Sequence, residues 1–225
     1  MHSHDRTLLA RLGFADPDKP EPRHDLACQY IGHPATVEKV IRLLDIVYED
    51  RPHRCGDDVW EQVGKLTRSV RRKSVAYEMP VEKGSGQYMT TVGFIDVVLR
   101  FDLLDHAREV FFRHRRSHAG PWDDWQQGRE LLENRPLRVG VEAKIAPVPI
   151  GSVIRQINLY RSYTRPNPTG RDGIGHWIVA TDYDMPQIDL ASLKNEGITH
   201  VRLGPCFDEF AQTCQTGGCG EQVEI

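Results

Sequence analysis

Leu137-Arg138-Val139-Gly140-Val141-Glu142-Ala143-Lys144-Ile145 is the stretch on which the fold turns. Strand alternation puts Val139, Val141, Ala143 and Ile145 on one face and Glu142 and Lys144 on the other. A buried strand does not carry such charges unpartnered, because desolvating an isolated ion costs several kcal/mol or more. A second apolar run, Gly93-Phe94-Ile95-Asp96-Val97-Val98-Leu99, holds one carboxylate. Its apolar flanks argue against a turn at Asp96. An Asp and a Glu on adjacent strands repel each other unless a cation lies between them. Hard oxygen ligands favour Mg²⁺ or Mn²⁺, and a Lys alongside can orient a water.

Working outward, Gln156-Ile157-Asn158-Leu159-Tyr160 follows a short Pro-rich linker, and Ser152 is a good N-cap for a helix to about Thr164. Gln156 and Tyr160, four apart, share one face of it. Taken together, Gly93/Asp96, Glu142/Lys144 and Gln156/Tyr160 match in order the pattern G-x-x-D, E-x-K, Q-x-x-x-Y. The chain therefore resembles the PD-(D/E)XK nuclease superfamily, in its RecB-type, exonuclease-like subset. The resemblance covers the middle of the chain through its last strands. It implies an α/β, restriction-endonuclease-like core of helix, three strands, helix and strand. It further implies a metal held by Asp96, Glu142 and the backbone carbonyl of Ala143, with Lys144 beside the attacking water. Gln156 and Tyr160 would orient Lys144 or touch substrate.

Composition sets mild bounds. The 225 residues suffice for one sizeable core with appendages, and 39% hydrophobic with 27% charged residues is the mix of a globular protein. No apolar run is long enough to cross a bilayer and no secretory segment is evident, so a cytoplasmic protein without membrane contact is expected. A net charge of -3 means that any nucleic-acid contact is local.

Residues 1–35 read as an N-terminal arm, with a short helix at Arg6–Leu12 and then a Pro-rich loop. Val37, Val40, Ile41, Leu44 and Val47 recur at helical spacing. Asp57-Asp58 would cap a second helix to about Ser69, with Val59, Val63 and Leu66 inward. The superfamily often takes a further carboxylate from that helix, which makes Glu61 a candidate site residue; a solvated helix-surface Glu is the alternative. Strands are expected at Ser74–Met79, Tyr88–Leu103, His176–Thr181 and Thr199–Leu203, and a helix at Pro186–Asn195.

Residues 104–136 read as a helical insertion between the second and third core strands, departing from the family's short turn. It is either a clamp on substrate or a hairpin with Phe111, Phe112, Trp122 and Trp125 as core. Candidate phosphate contacts are Arg71, Arg72 and Lys73 before the first strand, Arg113, Arg115 and Arg116 in the insertion, and Arg155 and Arg161 beside the Gln156 face. The nuclease-like domain thus spans 36–205, followed by a Cys-containing tail, 206–225.

Five cysteines is an odd number, which fits reduced thiols or a metal better than a disulfide framework. Cys28 with Cys206, Cys214 and Cys219 corresponds in outline to the iron–sulfur layout of one family branch, and Zn²⁺ is equally permitted. The spacing departs from a tight C-x-x-C run, so unliganded thiols are expected. These features lead to a Mg²⁺- or Mn²⁺-dependent deoxyribonuclease, exo or endo, with DNA as its expected substrate and partner proteins or a homo-oligomer left open. A catalytically silent nucleic-acid-binding or assembly subunit of the same fold is the alternative.

Overall fold

The computed structural model describes residues 22–56, 60–84, 88–114, 126–164 and 173–215. The fold is mixed α/β. The chain divides into two compact units, one of Met1–Val37, Ser74–Arg100 and Arg138–Ile225, the other of Glu38–Lys73 and Phe101–Leu137. The described elements are α1 (Pro22–Gly32), α2 (Pro34–Leu43), β1 (Tyr48–Gly56), β2 (Trp60–Lys83), β3 (Thr90–His114), β4 (Gln126–Gln127), β5 (Leu131–Lys144), α3 (Ile150–Tyr163), β6 (His176–Thr181), α4 (Gln187–Asn195), β7 (Ile198–Arg202) and α5 (Pro205–Gln215). The residue ranges of β2, β3 and β5 fall partly in each unit. Among the described residues no helix is long and apolar enough to cross a membrane.

In the first unit the strand order is β2-β3-β5-β6-β7. β5 pairs parallel with β6, placing Glu142 opposite Val179 and Lys144 opposite Thr181, and β6 pairs parallel with β7. Parallel neighbours need crossovers, which α3 and α4 supply. Val139 to Ala143 are buried on both faces, as a strand covered on both sides must be. α3 buries Val153, Ile157 and Tyr160 at i, i+4 and i+7 against Ile95, Val98, Trp177 and Val179. Gly140 lies opposite Trp177, whose six-membered ring occupies the space a side chain there would need.

α1, within the residues read from the sequence as an N-terminal arm, belongs to this unit as a packed helix. Ala27, Tyr30 and Ile31 are buried, and Tyr30 packs on Phe207 and Phe210 of α5 at ring-centroid distances of 5.6 and 5.4 Å. Arg23 reaches Asp182 (2.6 Å) and Asp208 (2.8 Å) and lies over the Phe207 ring. Residues 206–215 of the expected tail are accordingly part of helix α5. The Arg6–Leu12 helix lies outside the described residues.

The second unit corrects two expectations. Residues 60–69 are strand, not helix: β1 runs antiparallel to β2, with Arg54 opposite Val63 and Gly56 opposite Glu61. Residues 104–114 and 131–136 are also strand, so the helical insertion is wrong wherever the chain is described. Trp122 and Trp125 fall outside the described residues. β3 alternates in this stretch, with Phe101, Leu103, Asp105 and Ala107 inward. The inward Asp105 is compensated by a two-bond pair with Arg68, at 2.5 and 2.6 Å. Arg68 also lies over the Tyr48 ring. Asp50 takes φ 47° where the β1 register slips, and Glu109 takes φ 50° where the inward alternation on β3 breaks; both mark bulge-like kinks. α2 ends at Leu43, with Asp45 in the left-handed region at φ 49°, so Ile46 is buried and the expected Val47 is exposed.

Candidate functional site

Asp96 on β3 and Glu142 on β5 converge within the first unit. The Lys144 ammonium stands 3.1 Å from Glu142 Oε2 and 3.8 Å from Asp96 Oδ2. Strand periodicity brings Glu142 and Lys144 to one face, and the Ala143 N–H donates to Asp96 Oδ2 at 2.8 Å. Glu142 is fully buried, while Asp96 and Lys144 keep 17% and 19% of their side chains exposed. Solvent therefore reaches the cluster from the Asp96–Lys144 side.

Behind Glu142 stands the α3 pair. Gln156 Nε2 donates to Glu142 Oε2 and to the Tyr160 hydroxyl, both at 2.9 Å, and Tyr160 donates to the Phe94 carbonyl at 2.9 Å. One helix face thus ties the β5 carboxylate to the strand that carries Asp96. Gln156 does not contact Lys144 through a hydrogen bond; it fixes the carboxylate that does.

His24 was missed by sequence reasoning. From α1 its Nε2 lies 3.4 Å from Asp96 Oδ2, and both ring nitrogens are 3.9 Å from Cys28 Sγ. The only signal was local: Arg23-His24-Asp25 precedes Ala27, Tyr30 and Ile31 at helical spacing, which reads as an amphipathic helix start.

The electrostatics are those of two buried carboxylates held beside two cations, Lys144 and His24. Burial and the Asp96 charge push Glu142 up to about 8, against the pull of Lys144. Burial also acts to raise Asp96, but the His24 contact, the Lys144 charge and the Ala143 N–H hold it below the ordinary carboxylate value. Asp96, then Cys28, raise His24 to about 11 against its desolvation. Burial works to lower Lys144, and Glu142 with Asp96 outweigh it, so it stays protonated. Burial pushes the Cys28 thiol up, leaving it a poor nucleophile.

The donor set suits a small divalent cation. Among the described residues Glu142 Oε1 is buried with no hydrogen-bond partner, an acceptor left open. Among the same residues no group of three or more His, Cys, Asp or Glu side chains is already arranged to hold a metal. A cation here would draw on Asp96, Glu142 and a backbone oxygen such as that of Ala143.

The remaining candidates disperse. Glu61 is buried on β2, in the second unit, and its carboxylate is paired with Arg54; the helix-borne carboxylate is thereby corrected. Arg71, Arg72 and Lys73 lie on β2 itself, not between a helix and a strand. Lys73 pairs with Glu38, and Arg71 reaches Asn134 at 3.4 Å. Arg113 is on β3, while Arg115 and Arg116 lie outside the described residues. Arg161 is occupied at the end of α4, donating to the Glu196 carbonyl and Asn158 Oδ1. Arg155 is exposed on α3, one residue before Gln156. Cys28 and Cys206 are free thiols, whereas Cys214 is disulfide-bonded, which corrects the expectation of an unliganded thiol there; Cys219 lies outside the described residues. No family model, curated protein or solved structure matches this chain.

Proposed function

We propose that the Asp96–Glu142–Lys144 cluster hydrolyses phosphodiester bonds in DNA with Mg²⁺ or Mn²⁺, as the resemblance to PD-(D/E)XK nucleases implies. The observation that carries this reading is that two carboxylates from separate strands meet at one ammonium, with Glu142 Oε1 open and buried beside them. The order α1, β2, β3, β5, α3, β6 in the first unit supports it, being the helix, three strands, helix and strand of that superfamily.

Asp96, Glu142 and the Ala143 carbonyl would hold the cation. A divalent ion so held supplies Lewis-acid charge to a phosphate oxygen and lowers the pKa of water. The chain's own residues do the rest. Lys144, exposed on one side, directs the attacking water and stabilises charge that develops on the phosphate. Gln156 keeps Glu142 aimed at the cluster, and Tyr160 anchors Gln156 to the Phe94 carbonyl. Arg155 is the nearest of the expected basic residues in sequence to this face, and we assign it to backbone phosphate.

The absence, among the described residues, of a ready three-side-chain metal group favours a second reading. In it the chain is a nucleic-acid-binding or assembly subunit, and the Lys144 and His24 cations permanently replace the metal. Incubation with linear, circular and single-stranded DNA, with and without Mn²⁺, separates the two. Mn²⁺-dependent cleavage that Asp96→Ala abolishes supports the nuclease. DNA binding without cleavage at any Mn²⁺ concentration supports the silent subunit.

A further inference from the structure

The α3 face that steadies Glu142 continues past Tyr160. Tyr163 follows Gln156 by seven residues, two helical turns, and so falls on the same stripe, about 10 Å along the axis at ~1.5 Å per residue. Its ring is 37% exposed. The Lys83 ammonium, from the end of β2, stands 6.0 Å from the ring centroid. That is the outer limit of a cation–π contact, so the ring does not consume the charge. Among the described residues no carboxylate pairs with Lys83 and no hydrogen-bond partner meets the Tyr163 hydroxyl. Both groups belong to the first unit, as the catalytic cluster does.

An unpaired ammonium beside a half-exposed aromatic ring, on the helix that carries Gln156, matches one ligand chemistry. The ring offers a face for an unpaired base, and the ammonium offers a counter-charge for the adjoining phosphate. Base faces are open to such stacking only in single strands or frayed ends. We propose that Tyr163 and Lys83 form a subsite gripping single-stranded DNA a few nucleotides beyond the bond cleaved, which makes a single strand the preferred substrate. This rests on the nuclease reading above.

The test is steady-state cleavage with Mn²⁺ of oligothymidylates shorter and longer than the span to the subsite, with DNA binding followed by fluorescence anisotropy in EDTA. Tyr163→Ala and Lys83→Ala are each expected to raise KM about tenfold on long substrates, with kcat and the short-substrate KM unchanged. Tyr163→Phe, which keeps the stacking face, is expected to behave as wild type. Ile188→Ala, an exposed apolar residue on α4, serves as the surface control. Wild-type KM on long substrates for both alanine variants would overturn the subsite while leaving the nuclease standing. Equal losses of kcat on short and long substrates would also overturn it, by showing a structural defect instead of a lost contact. Wild-type protein that neither binds nor cuts DNA would overturn the nuclease reading itself, and the subsite with it.

Discussion

Replacing Gln156 by Ala should destabilise the protein in a way that depends on the ionisation of Glu142. Gln156 gives one N–H to Glu142 Oε2 and one to Tyr160 Oη. Glu142 is fully buried and pushed up to about 8, so without metal it is mostly neutral near pH 6 and charged above pH 9. A hydrogen bond to a charged group contributes about 1.5–3 kcal/mol, against about 0.5–1.5 kcal/mol for a neutral pair. The Tyr160 bond is lost at both pH values and cancels in the difference. The Gln156→Ala penalty should therefore be about 1 kcal/mol larger at about pH 9.5 than at about pH 6. Urea denaturation of wild type and variant, in EDTA at each pH, measures it. His24, raised to about 11, stays protonated in the folded state across this range and does not confound the comparison. Equal penalties at the two pH values would refute the assignment of Gln156 to the Glu142 carboxylate. A smaller penalty at high pH would do the same.

Other outcomes follow from the same geometry. Lys144→Ala should lower kcat by a factor of about 10²–10³ while DNA binding in EDTA is retained, as loss of a charge-stabilising donor does; cleavage at wild-type rate would remove Lys144 from the chemistry. Without divalent ions, stability should fall as pH rises. His24 gains a partner on folding, so its contribution is complete below about 6.5 and lost towards about 11. Glu142, whose folded state favours the protonated form, adds a decline between about 4.5 and 8. Asp96→Asn should flatten both slopes in denaturation curves taken across this range. Gly140→Ala should cost about 1–3 kcal/mol by overpacking, since the new Cβ would lie 2.9 Å from the Trp177 ring; an unchanged denaturation midpoint would contradict the tight approach of β5 to Trp177.

The readable parts of the sequence were those in which one physical signal dominated. His176–Thr181 is a short apolar run buried between two parallel neighbours, and its limits were legible without ambiguity. The Asp96, Glu142–Lys144 and Gln156–Tyr160 groupings were legible because charges in apolar strands demand partners, and the structure brings those partners together. Residues 104–107 were misread because Asp105 occupies an inward position and breaks the apparent alternation of Phe101, Leu103 and Ala107; Arg68, 37 residues away, makes that burial tolerable. Val63 and Leu66 fit helical spacing by coincidence, and pairing with β1 overrode it, while Val59 lies outside the described residues. His24 could not be placed, because its significance comes from a contact with Asp96, 72 positions further along the chain, and no local pattern encodes it.

The most direct measurement is calorimetric titration of Mn²⁺ into the metal-free protein at about pH 8, repeated with Asp96→Ala and Glu142→Gln. A single saturable site with release of protons, weakened in both variants, is the expected result, because the cation must displace the proton on Glu142. Absence of Mn²⁺ binding, or binding indifferent to both substitutions, would contradict the claim that Asp96 and Glu142 share a divalent ion.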